Sequence, residues 1–360
     1  MSNAGPANFQ KELELLCNNI FSSENEIDEN TFAKLQTLLN DSGSINALDF
    51  NRYIKSPYFN GSILTLFTYI AATFDDADLL LMKVLNTADL NRLKFDLTIQ
   101  DGEYAGTTPL WWMAFLAAND MPKAFSALIK RREEFNFGLL TVHHFAQDGE
   151  FKDISTLCWL VLARIKHANN WQINDLLQNM LQFSGWKGTD LNHKMTTGMF
   201  KGTTPLWWLG WLAKQDEPHF LNVVLDRVAV KELDFSACAD FSLELDIDLS
   251  GPYRFDPEKS TLERSLGEKR EIHVQEQCQY SGVTVEGLLS EMDTRFKQLS
   301  LQDAPMFGEV DLDDDTRRQQ ILAYQQVYHK LKDEKLLPTN AKQAEYIYQS
   351  YTSKPKARRN

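Results

Sequence analysis

Residues 106–117 read GTTPLWWMAFLA, and residues 202–213 read GTTPLWWLGWLA. Nine of the twelve positions are identical, 96 residues apart. Chance does not produce such a match, so internal repetition is the first property of this chain. Aligning on the leucine of TPL brings out two eroded copies, Ser62-Ile63-Leu64 and Ser155-Thr156-Leu157. The four leucines, Leu64, Leu110, Leu157 and Leu206, stand at intervals of 46, 47 and 49 residues. A near-constant period of this size is the signature of a solenoid.

Each copy has one anatomy. A Ser or Thr precedes a first helix, where its hydroxyl caps free backbone N–H groups. Pro109 and Pro205 stand at the first helical position, where no donor is lost. The first helices, 64–73, 110–118, 157–165 and 206–213, are apolar almost all round, which predicts burial on most sides. A short polar turn and an amphipathic second helix follow, such as the one carrying Phe220, Leu221, Val224, Leu225 and Val228. A connector with alternating character returns to the next copy. Asp101-Gly102-Glu103-Tyr104 and Asp148-Gly149-Glu150-Phe151 read there as hairpin turns with Asp-Gly at the tip.

Helix–turn–helix units with a returning hairpin, opened by Gly106-Thr107-Thr108-Pro109-Leu110 and Gly202-Thr203-Thr204-Pro205-Leu206, resemble ankyrin repeats. The resemblance spans about 50–250. The period exceeds that family's roughly 33 residues, and Trp111, Trp207 and Cys158 stand where the family has a histidine that ties neighbouring repeats. The extra residues fall in the connectors and predict elongated hairpin fingers. The expected fold is therefore mainly α: four to five expanded ankyrin-like repeats with hairpin fingers, flanked by helical segments. A HEAT-like α-solenoid shares the period and is the alternative.

The expected organisation is an N-terminal helical cap over 1–44, repeats over 45–267, a C-terminal helical segment over 268–353 and a basic, disordered tail over 354–360. Two helices are expected within 8–40, the second capped by Asp28 or Asn30. Ser260-Thr261-Leu262 suggests a degenerate fifth copy after an insertion, and FSLELDIDL at 241–249 is strand-like with acids on one face. Helices are expected over 283–301, 316–336 and 341–351. Ser2-Asn3-Ala4 reads as a cloning scar.

The net charge of −13 argues against a general nucleic-acid binder, because phosphate neutralisation needs a basic surface. No apolar run approaches a membrane span, the longest being Leu157 to Ile165. Four scattered cysteines without CxxC spacing point to reduced thiols in a reducing, cytoplasmic compartment, the host cytoplasm if the protein is secreted.

Candidate chemistry is thin. Cys158 lies in an apolar helix and reads as a buried structural thiol, since a nucleophile needs a thiolate-favouring setting. His143-His144 lie on a connector and point to opposite sides if it is extended. Asp311 to Asp315 lacks the glycine and glutamate of an EF-hand loop and reads as favourable charge at a helix start. No phosphate-loop, dinucleotide or hydrolase motif is present, and no cofactor or metal is expected.

The resemblance implies instead a protein partner held by finger tips and the exposed side of the first helices. Carried over by position, these residues are Tyr104, Ala105, Thr107 and Phe115 in copy two, and Phe200, Lys201, Thr203 and Trp211 in copy four. Tyr104 and Phe200 are the favoured anchors; Phe115 and Trp211 fit a thicker core better. In style the chain is similar to effector proteins that intracellular bacteria deliver into host cells. Two other classes stay open: an enzyme with its site in or beside the C-terminal segment, and an oligomerising scaffold.

Overall fold

The computed structural model describes residues 6–292 apart from 24–25, 41–44, 75–76, 120–122, 135–142, 150, 168–170, 184, 197–199, 215–216, 241, 249–252, 257–260, 265–272 and 280–281, together with 322–323, 326–327 and 329–331. Within 242–279 it describes backbone strands. The fold is mainly α-helical. No described helix is long and apolar enough to cross a membrane.

Helices α1 (Pro6–Asn18) and α2 (Glu29–Asn40) flank the short strands β1 (Phe21–Ser23) and β2 (Glu26–Ile27). Asp28 is the cap of α2: its carboxylate accepts from the Thr31 amide at 2.7 Å. The four copies follow. The first opens with the hairpin β3 (Tyr53–Lys55) and β4 (Asn60–Ser62), then α3 (Ile63–Thr73) and α4 (Asp78–Thr87). The second holds α5 (Pro109–Ala118) and α6 (Lys123–Lys130); the third α7 (Thr156–Lys166) and α8 (Trp171–Phe183). The fourth holds the short α9 (Gly188–Leu191), α10 (Pro205–Lys214) and α11 (Pro218–Leu225).

The helices form two layers. In one, α1, α3, α5, α7 and α10 each touch the next; in the other, α2, α4, α6, α8 and α11 do the same. Leu64, Leu110, Leu157 and Leu206 are all at most 1% exposed, as equivalent core positions require. The core runs unbroken through both layers.

The capping hydroxyls are where the alignment puts them. Ser62, Thr108, Ser155 and Thr204 each accept from the amide three residues on, at 3.1 to 3.3 Å. Thr284 does the same for Gly287 at 3.0 Å, opening a fifth first helix, α12 (285–292). The fifth copy therefore starts at Gly282-Val283-Thr284, and the expectation at Ser260-Thr261-Leu262 is corrected: Thr261 and Leu262 lie in a strand, β7 (Thr261–Arg264). α12 packs on α10, where a Cβ added to Gly210 would lie 3.5 Å from Val285 Cγ1. The second layer continues through the described helical residues within 322–331: Asn222 donates to Gln326 Oε1 at 2.7 Å, and Lys330 bridges to Asp226.

The fingers of copies two to five close on one backbone pattern, whereas that of copy one is the β3–β4 hairpin. Ile99 donates to the Thr107 carbonyl and accepts from Gly106; Met195, Thr203 and Gly202 repeat this, as do Ala239, Val283 and Gly282. The residue two before the cap has positive φ, at +84° in Gly106 and +88° in Gly202. A Cβ at Gly202 would lie 2.3 Å from the Cys238 carbonyl oxygen, so glycine is needed for conformation and for space. Copy three places Asp153 there at +68°, a conformation Asp tolerates better than most residues.

Candidate functional site: an aromatic face and a polar cavity

The repeated tryptophans are the joints of the stack. Trp111 Nε1 donates to the Ile154 carbonyl at 2.8 Å, and Trp207 Nε1 to the Val283 carbonyl at 2.9 Å. Each acceptor is the residue just before the next copy's cap. The tryptophans thus tie neighbouring copies by hydrogen bond as well as by buried area. Their neighbours act within one copy: Trp112 Nε1 donates to Thr107 Oγ1, which donates to the Tyr104 carbonyl, and Trp208, Thr203 and Phe200 repeat the chain. In copy three the hydroxyl position is Ile154, and Trp159 Nε1 is buried without a partner among the described residues.

The residues expected to meet a partner divide accordingly. Thr107 and Thr203 are fully buried in these chains. Phe200 is 1% exposed, between the rings of Trp159 and Trp208 at 5.6 and 5.2 Å, and is core in place of the finger-tip anchor expected. Trp211 is 7% exposed. Tyr104, Ala105 and Phe115 are half-buried and Lys201 is exposed, paired with Asp240 at 2.9 Å. The Ala105 carbonyl accepts from Gln147 of the next finger.

Two ring series were not legible as sites. An aromatic stands four residues before every cap: Tyr58, Tyr104, Phe151, Phe200 and Tyr280. In copies two to four it packs on its own copy's tryptophan: Tyr104 on Trp112, Phe151 on Trp159 and Phe200 on Trp208. Seven residues after the caps stand Tyr69, Phe115, Leu162 and Trp211. Tyr69 lies edge-on to Trp112 at 5.1 Å, and Phe115 edge-on to Trp159 at 5.0 Å. Tyr69, Tyr104, Phe151 and Phe115 make a continuous aromatic ridge, which Tyr58 joins through Phe21. Tyr58 is 46% exposed, and Tyr69, Tyr104, Phe115 and Phe151 are half-buried. Beside the ridge the finger tips expose Asp101, Glu103 and Asp148.

The second candidate is a cavity of about 230 Å³ between copies three and four. His143, Phe145, Ser155, Trp186, Asp190 and His193 line it. Two His–Asp pairs cross this joint in opposite directions: His143 Nδ1 lies 3.5 Å from Asp190, and His193 Nε2 lies 3.8 Å from Asp153. Both nitrogens are buried without a hydrogen-bond partner among the described residues. Burial lowers the His143 pKa against the pull of Asp190, and lowers that of His144, which faces Asp96 instead. The paired histidines thus serve opposite neighbours. Ser155 is committed to capping α7, and Thr189 is the other hydroxyl that lines the cavity. Among the described residues no group of three or more His, Cys, Asp or Glu forms a metal site. Cys158 is fully buried and burial pushes its thiol up to about 12, a structural cysteine as expected. The acidic run 311–315 lies outside the described residues.

Compared with known protein families, curated proteins and solved structures, the chain matches none.

Proposed function

We propose that the chain is a protein-recognition module: a solenoid of five expanded ankyrin-like repeats that holds a protein partner on its first-helix face and fingers. The observation that carries this reading is the partly exposed aromatic ridge Tyr69, Tyr104, Phe115 and Phe151, with the exposed Tyr58 at its end. Rigid aromatic rings anchored in a core lose little entropy on binding and dominate interface energies. The acids on the neighbouring finger tips favour a partner that carries basic residues around an apolar centre. The likeness in style to bacterial effectors makes a host-cell protein the first class to test.

The test is quantitative capture with cross-linking, comparing the native chain with the Tyr69→Ala, Phe115→Ala double variant. The expected result is loss of the cross-linked partner while helix content by circular dichroism stays native, the thermal midpoint falling because both rings also pack on Trp112 and Trp159. Retention of the same partner by the double variant contradicts the reading. The enzyme alternative keeps one supporting observation, the unpartnered ring nitrogens in the cavity between copies three and four.

A further inference from the structure

The fifth finger has an ordinary base and an extraordinary length. Ala239 pairs with Gly282 and Val283 as its counterparts do in other copies. Beyond that base, β5 (Ser242–Asp248) pairs antiparallel with β8 (His273–Gln279), and β6 (Tyr253–Asp256) pairs with β7. The β5–β8 pair is a two-stranded ribbon.

The β5–β8 register gives the ribbon two unlike faces. Direct partners in an antiparallel pair share a face, and successive residues alternate. Leu243, Leu245 and Ile247 therefore share a face with Cys278, Glu276 and Val274. Glu244, Asp246 and Asp248 share the opposite, polar face with Gln277, Gln275 and His273. A lone two-stranded ribbon is marginal in water, and an apolar face on it needs cover.

The backbone supplies a place for that cover. β5 comes within 8 Å, Cα to Cα, of α7, the first helix of copy three. There the seventh-position series changes character. Tyr69 and Phe115 are half-exposed, whereas Leu162 is 3% and Trp211 7% exposed. The open stretch ends where the ribbon arrives.

We infer that the first-helix face of copy three is a docking surface for an extended amphipathic β-segment, and that β5 is its intramolecular occupant. The partner that fits this face is an extended segment with apolar side chains at alternate positions. Such a segment competes with β5. This deepens the recognition reading above and rests on it.

The experiment uses the full chain. One variant carries Leu243→Asp, Leu245→Asp and Ile247→Asp. The control carries Glu244→Ser, Asp246→Ser and Asp248→Ser on the opposite face. The readout is acrylamide quenching of tryptophan fluorescence, with helix content checked by circular dichroism. The apolar-face variant gains a quenchable population from Trp159, and a synthetic peptide of residues 241–249 added in excess reverses the gain. The control stays native. Quenching unchanged in a folded apolar-face variant overturns the inference, as does a gain that the peptide leaves untouched. Should the triple variant lose helix content, Leu245→Asp alone is read in the same way. Unchanged quenching together with a partner still lost from the Tyr69, Phe115 variant removes only the docked ribbon. A gain in quenching with that partner retained removes the recognition reading instead.

Discussion

Copies two and four carry almost the same twelve residues and differ in what their faces meet. In both, a threonine caps the first helix, one tryptophan donates to the next copy and its neighbour donates to a threonine in the same copy. Seven residues after the cap they part: Phe115 is half-exposed and Trp211 is 7% exposed. Their second helices part as well. Lys123 opens α6, exposed and bridged to Asp78, whereas the matching His219 of α11 is largely buried beside Arg164. The shared residues build the scaffold, and the positions where the copies differ decide what each surface can do.

The largest expected effect tests the sameness. Trp111→Ala and Trp207→Ala each remove a fully buried ring and a hydrogen bond to the next copy, and each should cost about 3–5 kcal/mol in denaturant unfolding. Similar losses support equivalent joints. A near-neutral result at either breaks the equivalence.

Acid tests the difference. Burial, then the Arg164 charge, lowers the His219 pKa to about 4. The folded chain thus favours neutral His219, and its contribution is intact above the ordinary value near 6.5. Stability is lost as pH falls from there towards 4, by roughly 3 kcal/mol in all. His219→Gln should flatten that part of the profile, while Lys123→Gln in copy two should leave it unchanged. A profile that His219→Gln leaves unaltered contradicts the assignment.

The smallest effect extends the comparison to copy five. Thr284→Ala should cost about 1 kcal/mol, as Thr204→Ala should, because both hydroxyls cap a first helix. A neutral Thr284→Ala, measured by thermal unfolding, would remove the fifth copy from the series.

Much of this was legible in the residues. Capping hydroxyls, TPL leucines and apolar first helices are local features, and a repeat multiplies each signal. The fifth copy escaped because the extended finger moves Thr284 80 residues past Thr204, and Val285 replaces the proline. Gly282 before Thr284, with Tyr280 four before it, was the signal that could have found it. Phe200 departs from its expected place because a finger position reads as exposed in sequence, while its ring packs down on Trp159 and Trp208. The His–Asp pairs had no sequence signal, because stacking of copies brings together residues about one period apart.

Hydroxyl-radical footprinting of the native chain, read residue by residue by mass spectrometry, tests most directly whether one scaffold presents an open face in its first half and a covered one in its second. The account predicts modification of Tyr69, Tyr104 and Phe115, with Leu162 and Trp211 protected. Indole is more reactive towards the radical than a phenyl ring, so Trp211 modified as readily as Phe115 would contradict it.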